Sequence, residues 1–370
     1  MQKNIKDWIW LNSLKSLSFI KKVLLIEHFN DPKNIKVATI NELKSIKGIT
    51  RANIEEILDK NQKEYVENLF EDILKRKIEV ININDDNYPK LLKNIYDPPI
   101  LLYKKGDFFD TNKSIAVVGS RNHSNYGRIV TEKLVKELVK NDFTIISGMA
   151  RGIDTTAHKT AIENGGKTIA VLGCGLDIVY PNENKNLMEE ICQSGSIVSE
   201  YVLGTKPLPY NFPARNRIIS GLSMGVLVVE AGSKSGSLIT AELALNEGRE
   251  VFSVPGNITS KYSLGTNQLI KDGAKMVIDV NDIIEEINNE FTIDKINYIN
   301  NTILMNGKID DSNLTNIEMK ILSILSLEEL HINEICKRIN IPIDEISSTL
   351  LLLEIKNYVK SLPGMFYILS

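Results

Sequence analysis

The chain has 370 residues, with 44 Lys+Arg against 47 Asp+Glu, a formal net charge of −3 and 43% hydrophobic residues. That length exceeds one typical core, so two or three domains are expected. The near-balanced charge excludes a wholesale basic nucleic-acid protein, so any polyanion site must be a local concentration of charge. Cys174, Cys192 and Cys336 stand alone without C-x-x-C spacing, and no histidine lies in an H-E-x-x-H pattern. This leaves no ligand set for structural zinc and points to a reducing compartment.

Trp8, Ile9, Trp10, Leu11, Leu14 and Leu17 form an apolar run broken by Asp7, Lys15, Lys21 and Lys22, an amphipathic helix rather than a signal peptide. No uncharged run reaches the length of about 18 residues that spans a bilayer, so a cytoplasmic protein without a membrane partner is expected. Apolar residues at helical spacing continue through Val23, Leu25, Ile26, Ile54, Ile57, Val66, Leu69 and Ile73, so residues 1–82 read as a helical domain. Around Ile46-Lys47-Gly48-Ile49-Thr50 a helix meets a glycine turn and a second helix, similar to half of a helix-hairpin-helix or sterile-alpha-motif (SAM)-like module. Thr50 and Arg51 stand where a second glycine is expected, leaving a DNA contact and a packing module both open. Residues 83–110, with Tyr88-Pro89 and Asp97-Pro98-Pro99, read as an irregular linker packed on the next domain.

From Ser114 to about Asn288, Val/Ile-rich runs at 114–118, 143–147, 168–172, 196–200, 225–230, 250–254 and 274–278 alternate with helical patterns. Strands without polar alternation are buried on both faces, as in a parallel sheet. Residues 83–290 are thus expected to form a doubly wound, mainly parallel α/β layer with its site at the strand C-termini. The polar stretch 291–314 reads as a linker. Residues 315–370 carry three short helical patterns and a hairpin around Pro363-Gly364, a winged-helix domain. Its third helix opens with Ile343-Asp344-Glu345, which disfavours duplex recognition and favours protein contact or packing.

Five loops of the α/β region carry chemistry. Gly119-Ser120-Arg121 follows the first strand and lacks the G-x-G-x-x-G spacing of dinucleotide binders. It is either an anion cradle at a helix N-terminus or a plain turn with a solvated arginine. Ser147-Gly148-Met149-Ala150-Arg151-Gly152-Ile153-Asp154 ends the next strand. Asp154 and His158 fit an acid/base pair, and fit better a helix cap beside a locally packed histidine. Cys174, between Gly173 and Gly175, has no nearby histidine to activate it and reads as a small turn residue. Lys185 is a phosphate contact or a solvated lysine.

Phe212-Pro213-Ala214-Arg215-Asn216-Arg217 combines cations with stacking surface, the mixture that single-stranded nucleic acids use. Arg215 and Arg217 cannot point the same way on a helix, so one of them has an acid inside the fold as its alternative partner. Lys234-Ser235-Gly236-Ser237 is not a Walker A loop, which argues against ATP hydrolysis. Glu230, at the end of its strand, is either a hydrolytic base or a residue that holds the loop.

The ordered set Gly119-Ser120-Arg121, Ser147-Gly148-x-Ala150-x-Gly152-Ile153-Asp154, Gly173-x-Gly175-x-Asp177, Tyr180-Pro181, Phe212-Pro213-x-Arg215-Asn216-Arg217, Ser235-Gly236-Ser237-Leu238-Ile239-Thr240-Ala241 and Val254-Pro255-Gly256 resembles the DNA-processing protein A (DprA/Smf) family. The resemblance covers about residues 85–288. It implies an extended Rossmann fold that binds single-stranded DNA, forms a homodimer, protects DNA and loads the RecA recombinase during natural transformation, with no enzyme activity and no cofactor. Carried over by motif, Gly119, Ser120 and Arg121 grip phosphate, Ser147, Gly148, Arg151, Gly152 and Asp154 shape the floor, and Phe212, Arg215, Asn216 and Arg217 form the wall. Lys185 and Lys234, Ser235, Gly236 and Ser237 add contacts, with Glu183 weakening the basic character near Lys185. Leu264–Ile270 and Lys275–Ile278 are the implied dimer elements. The rival readings are a nucleotide sensor, and a phosphoribohydrolase-like enzyme whose Pro-Gly-Gly-x-Gly-Thr-x-x-Glu motif is replaced here by Glu230-Ala231-Gly232-Ser233-Lys234-Ser235-Gly236-Ser237.

Overall fold

The computed structural model describes residues 4–59, 61–288, 315–325, 330–356, 358–362 and 364–369. The linker expected at 291–314 lies outside them. The chain divides into two compact units, Met1–Ile283 and Ile284–Ser370.

Six helices open the first unit: α1 (Ile5–Ser13), α2 (Phe19–Phe29), α3 (Pro32–Val37), α4 (Ile40–Ser45), α5 (Arg51–Ile57) and α6 (Gln62–Lys75). Side chains set four of their starts by accepting otherwise orphaned amides. Ser18 accepts from Lys21 N, Asp31 from Lys33 N, and Thr39–Glu42 and Thr50–Asn53 close reciprocal capping boxes. Trp8, Trp10, Leu11, Leu25, Leu43 and Ile73 share one core with Leu101 and Tyr103 of the sheet. The helical layer and the sheet therefore bury the same apolar surface from both sides.

The sheet has nine strands: β1 (Glu79–Asn82), β2 (Leu101–Lys105), β3 (Ser114–Val118), β4 (Thr144–Ser147), β5 (Thr168–Val171), β6 (Ser196–Ser199), β7 (Gly225–Val228), β8 (Glu250–Ser253) and β9 (Lys275–Met276). Their order is β1-β2-β6-β5-β4-β3-β7-β8-β9. The run from β6 to β9 is parallel, and β1 and β2 extend it antiparallel. The segment 83–110 is thus not an irregular linker throughout. It carries α7 (Lys90–Lys93) and β2, whose Leu101, Leu102 and Tyr103 are fully buried. The prolines at 98 and 99 mask that strand in the sequence, because they end the irregular stretch immediately before it.

Between the parallel strands run α8 (Asn125–Lys140), α9 (Ile153–Glu163), α10 (Lys185–Ser194), α11 (Asn211–Gly221), α12 (Gly236–Asn246) and α13 (Leu264–Lys271). A further helix, α14, spans 281–288. The chain leaves β3 toward β4 on one side and returns to β7 on the other, so β3 and β7 are neighbours at a topological switch point. In open α/β sheets the crevice outside the strand ends at such a point is where ligands bind.

The second unit contains α15 (Asn316–Leu325), α16 (Ile332–Ile339), α17 (Ile343–Ile355) and a three-stranded sheet. The strands β10 (Leu330–His331), β11 (Val359–Leu362) and β12 (Phe366–Leu369) pair in the order β10-β12-β11. Ile321, Leu322, Ile335, Ile346, Leu350 and Leu353 form a separate core. Three helices and a hairpin give the winged-helix architecture.

Candidate nucleic-acid interface

Three loops converge beyond the C-terminal ends of β3, β4 and β7. Ser120 N donates to Glu230 O at 2.8 Å, and Ile153 N donates to Ser120 O at 3.2 Å. Gly152 makes this approach possible. Its φ is +79°, and a Cβ there would lie 2.2 Å from Ser120 O. Glu230 does not face the opening as a free base. Its carboxylate accepts from Ser124 N at 2.8 Å and from Ser124 Oγ, and so pins the start of α8.

A cleft of about 900 Å³ opens at this junction, and Gly119, Ser120, Arg121, Asp154, Phe212, Arg215, Asn216, Lys234, Ser235, Gly236 and Ser237 line it. Gly148 and Arg151 line a recess of about 20 Å³ that shares Arg121, Tyr180, Phe212 and Arg215 with the cleft. Ser147, Gly152, Lys185 and Arg217 line neither. Ser147 Oγ donates to Val117 O inside the sheet at 2.6 Å, and Lys185 is exposed at the start of α10.

The four arginines have different fates. Arg121 is exposed, makes no ion pair among the described residues, and sets its guanidinium 5.6 Å from the centroid of the Phe212 ring. The Tyr180 ring packs on Phe212 from 5.3 Å. Arg151 is exposed and paired with Glu183, Nη2 to Oε2 at 3.1 Å, so its charge is locally compensated. Arg215 is only 4% exposed. It passes over Gly148, where a Cβ would lie 2.0 Å from Nη1, and donates to Val171 O at 2.6 Å. Arg217, expected in the wall beside Arg215, faces away from the cleft. It donates to both carboxylate oxygens of buried Glu200, at 2.8 and 2.6 Å, and through Nε to Asp97 O at 2.9 Å. The pairing with an acid inside the fold holds for Arg217, whereas Arg215 is buried against a backbone carbonyl and still lines the cleft.

Asp154 folds its loop back by accepting from Gly148 N at 3.1 Å and Ala150 N at 3.3 Å. Burial pushes its carboxyl up, against the pull of Arg215. His158 is buried with Nδ1 2.7 Å from Thr168 Oγ1, and burial with Arg215 nearby pushes its pKa down to about 3. The two therefore hold structure separately. Burial likewise pushes the Cys174 thiol up to about 11, far from a thiolate nucleophile at neutral pH.

The sequence reading missed Lys261 and Tyr262, which also line the cleft. Lys261 is exposed, makes no ion pair among the described residues, and lies 5.2 Å from the Tyr262 ring centroid. Ala231 N donates to Tyr262 O at 2.9 Å, which ties this loop to the end of β7. A cation beside an aromatic residue shortly after Val254-Pro255-Gly256 was the available signal.

The model of the family described as DNA recombination-mediator protein A matches residues 79–288, and that of the DprA winged helix domain matches residues 310–365. The chain belongs to the DprA/Smf family of DNA recombination mediators. Within this family, the DNA processing protein DprA of Streptococcus pneumoniae is 49% identical over 213 residues, 57% of this chain and 75% of the relative. Protein Smf of Synechocystis is 34% identical over 97% of both chains. The crystal structure of the S. pneumoniae DprA superposes with a TM-score of 0.67 at 38% identity, covering 77% of this chain and 99% of that one. DNA processing protein A from Helicobacter pylori, for which a single-stranded DNA binding mode is described, matches with a TM-score of 0.52 at 34% identity. It covers 58% of this chain and 97% of its own. No described helix of this family member is long and apolar enough to cross a membrane.

Proposed function

We propose that this protein binds single-stranded DNA in the switch-point cleft without sequence preference and hands it to a recombinase of the RecA type, as in natural transformation. The observation that carries the reading is the cleft's composition. Arg121, Lys234 and Lys261 are exposed there without acidic partners among the described residues, interleaved with Phe212, Tyr180 and Tyr262. Cations along a groove track a phosphate backbone, and aromatic faces accept any base. The H. pylori relative's single-stranded DNA binding supports the same assignment.

The role is binding rather than bond breaking. Glu230 is occupied with Ser124, and His158 and Cys174 are buried in their neutral forms. The dimer is proposed along the free edge of the sheet, where Leu264, Met276 and Ile278 expose apolar surface on α13 and around β9. The winged-helix unit is proposed as a protein contact, because α17 begins with the exposed acids Asp344 and Glu345. A salt titration of oligo-dT against duplex DNA, run beside mononucleotide competition, tests the assignment. Tight, strongly salt-dependent binding of oligo-dT supports it. A mononucleotide that outcompetes the oligonucleotide replaces it with the nucleotide-sensor reading.

A further inference from the structure

The helix α11 presents Phe212, Arg215 and Asn216 to the cleft, while two routes tie its opposite side to the N-terminal helices. The first runs through Arg217. Its bidentate partner Glu200 accepts a hydrogen bond at its main-chain oxygen from Asn12 Nδ2 at 3.0 Å, and Asn12 O in turn accepts from Lys22 Nζ at 2.6 Å. The second runs through Phe19. Arg217 lies 5.1 Å and Lys22 5.3 Å from its ring centroid. Tyr201 meets the same ring edge-on at 6.4 Å and donates its hydroxyl to Asn211 O, the first residue of α11, at 3.3 Å.

Lys22, Asn12, Glu200 and Arg217 are all buried. Plain packing of helices on a sheet needs no such group, and burying ion pairs costs free energy that apolar residues would not. The best-attested return on that cost is a fixed register. Register matters on α11 because Arg215 lies two residues from Arg217 and threads past Gly148 with no room to spare. A shift of the helix at Arg217 therefore displaces Arg215 and Phe212.

We propose that the N-terminal helices are a positioning unit for the DNA cleft: Lys22, Asn12, Phe19 and Glu200 hold Arg217, and Arg217 sets where α11 presents Phe212, Arg215 and Asn216 to the strand. Arg217 is then a positioning residue and not a phosphate ligand. The inference rests on the single-stranded DNA reading of the cleft.

The chain carries its own reporter. Trp8 and Trp10 are its two tryptophans, both are buried on α1, and neither lines the cleft. If cleft and helices are coupled, binding at one must be felt at the other. The test uses the full-length protein, a labelled oligo-dT followed by polarisation over a salt series, and tryptophan emission during the titration. Glu200→Gln keeps the shape and removes the charge that holds Arg217. It is expected to weaken oligo-dT binding roughly three- to tenfold, to keep the wild-type salt slope, and to abolish the emission change that accompanies wild-type binding. Loss of a phosphate contact would instead lower the slope by about 0.7. Lys22→Met, entering from the other end of the network, is expected to show the same pattern and carries the test if Glu200→Gln does not fold by circular dichroism. Wild-type affinity in folded variants, a lowered slope, or a wild-type emission that ignores the oligonucleotide overturns the positioning role. A wild-type protein that binds no oligo-dT removes the reading of the cleft itself.

Discussion

The guanidinium of Arg121 lies over the ring of Phe212, 5.6 Å from its centroid, although 91 positions separate the two in sequence, one on the loop after β3 and the other in the first turn of α11. The ring supports a cation that has no acidic partner among the described residues, which keeps the charge extended into the cleft. Arg121→Ala is expected to weaken oligo-dT binding by about 1.5 kcal/mol or more, roughly tenfold, the size of a charged hydrogen bond. The salt slope should fall by about 0.7, one single-strand phosphate contact. Unchanged affinity and slope in the folded variant would remove Arg121 from the binding surface.

Gly152 separates backbone strain from steric conflict when compared with Gly165. Both have positive φ, +79° and +71°, yet a Cβ at 152 would strike Ser120 O at 2.2 Å while one at 165 meets nothing within 4 Å. Gly165→Ala is expected to cost only the left-handed penalty of about 1–2 kcal/mol. Gly152→Ala should cost clearly more in urea unfolding, and should also weaken DNA binding, because the loops after β3 and β4 must part. Equal losses in stability would show that the 120–153 junction relaxes freely.

Lys22 provides a pH signature. Burial pushes its ammonium down to about 8 from 10.5, against the pull of Glu200 and Glu56. The folded chain gives up this proton before the unfolded chain does. The resulting stabilisation is complete above pH 10.5 and is lost as pH falls through about 8. From pH 8 to about pH 10, the urea midpoint of the wild type should therefore rise relative to that of Lys22→Met. Parallel profiles for the two proteins would mean that Lys22 titrates as an ordinary solvated lysine.

The winged-helix unit has its own core of Ile321, Leu322, Ile335, Ile346, Leu350 and Leu353. Its α17 begins with acids rather than with the cations that phosphates attract. A chain ending after about residue 310 is expected to bind oligo-dT within about twofold of the full-length protein, a difference of only a few tenths of a kcal/mol. Loss of most affinity would place essential contacts in the second unit.

Hydrophobic patterning by itself determined the alternation of strands and helices from β3 to β8 and the three helices of the second unit, because buried parallel strands and amphipathic helices leave local marks. The family was legible only through the ordered set of loop motifs and their resemblance to a known family. The strand-to-helix glycine turn also marked the Gly119 loop as a candidate anion cradle, with a plain turn left open, and the family resemblance added the loop at Lys234. Only the tertiary structure decided that these loops meet, since the neighbourhood of β3 and β7 depends on strand order, which no local pattern encodes. The same holds for the fate of charge. Arg215 and Arg217 look equivalent in sequence, but Val171 O takes one inward and Glu200 with Asp97 takes the other. Those partners come from distant strands and loops. Whether a cation serves a ligand or the fold depends on which acceptors the fold brings within about 3 Å, and this is settled only when the chain has closed on itself.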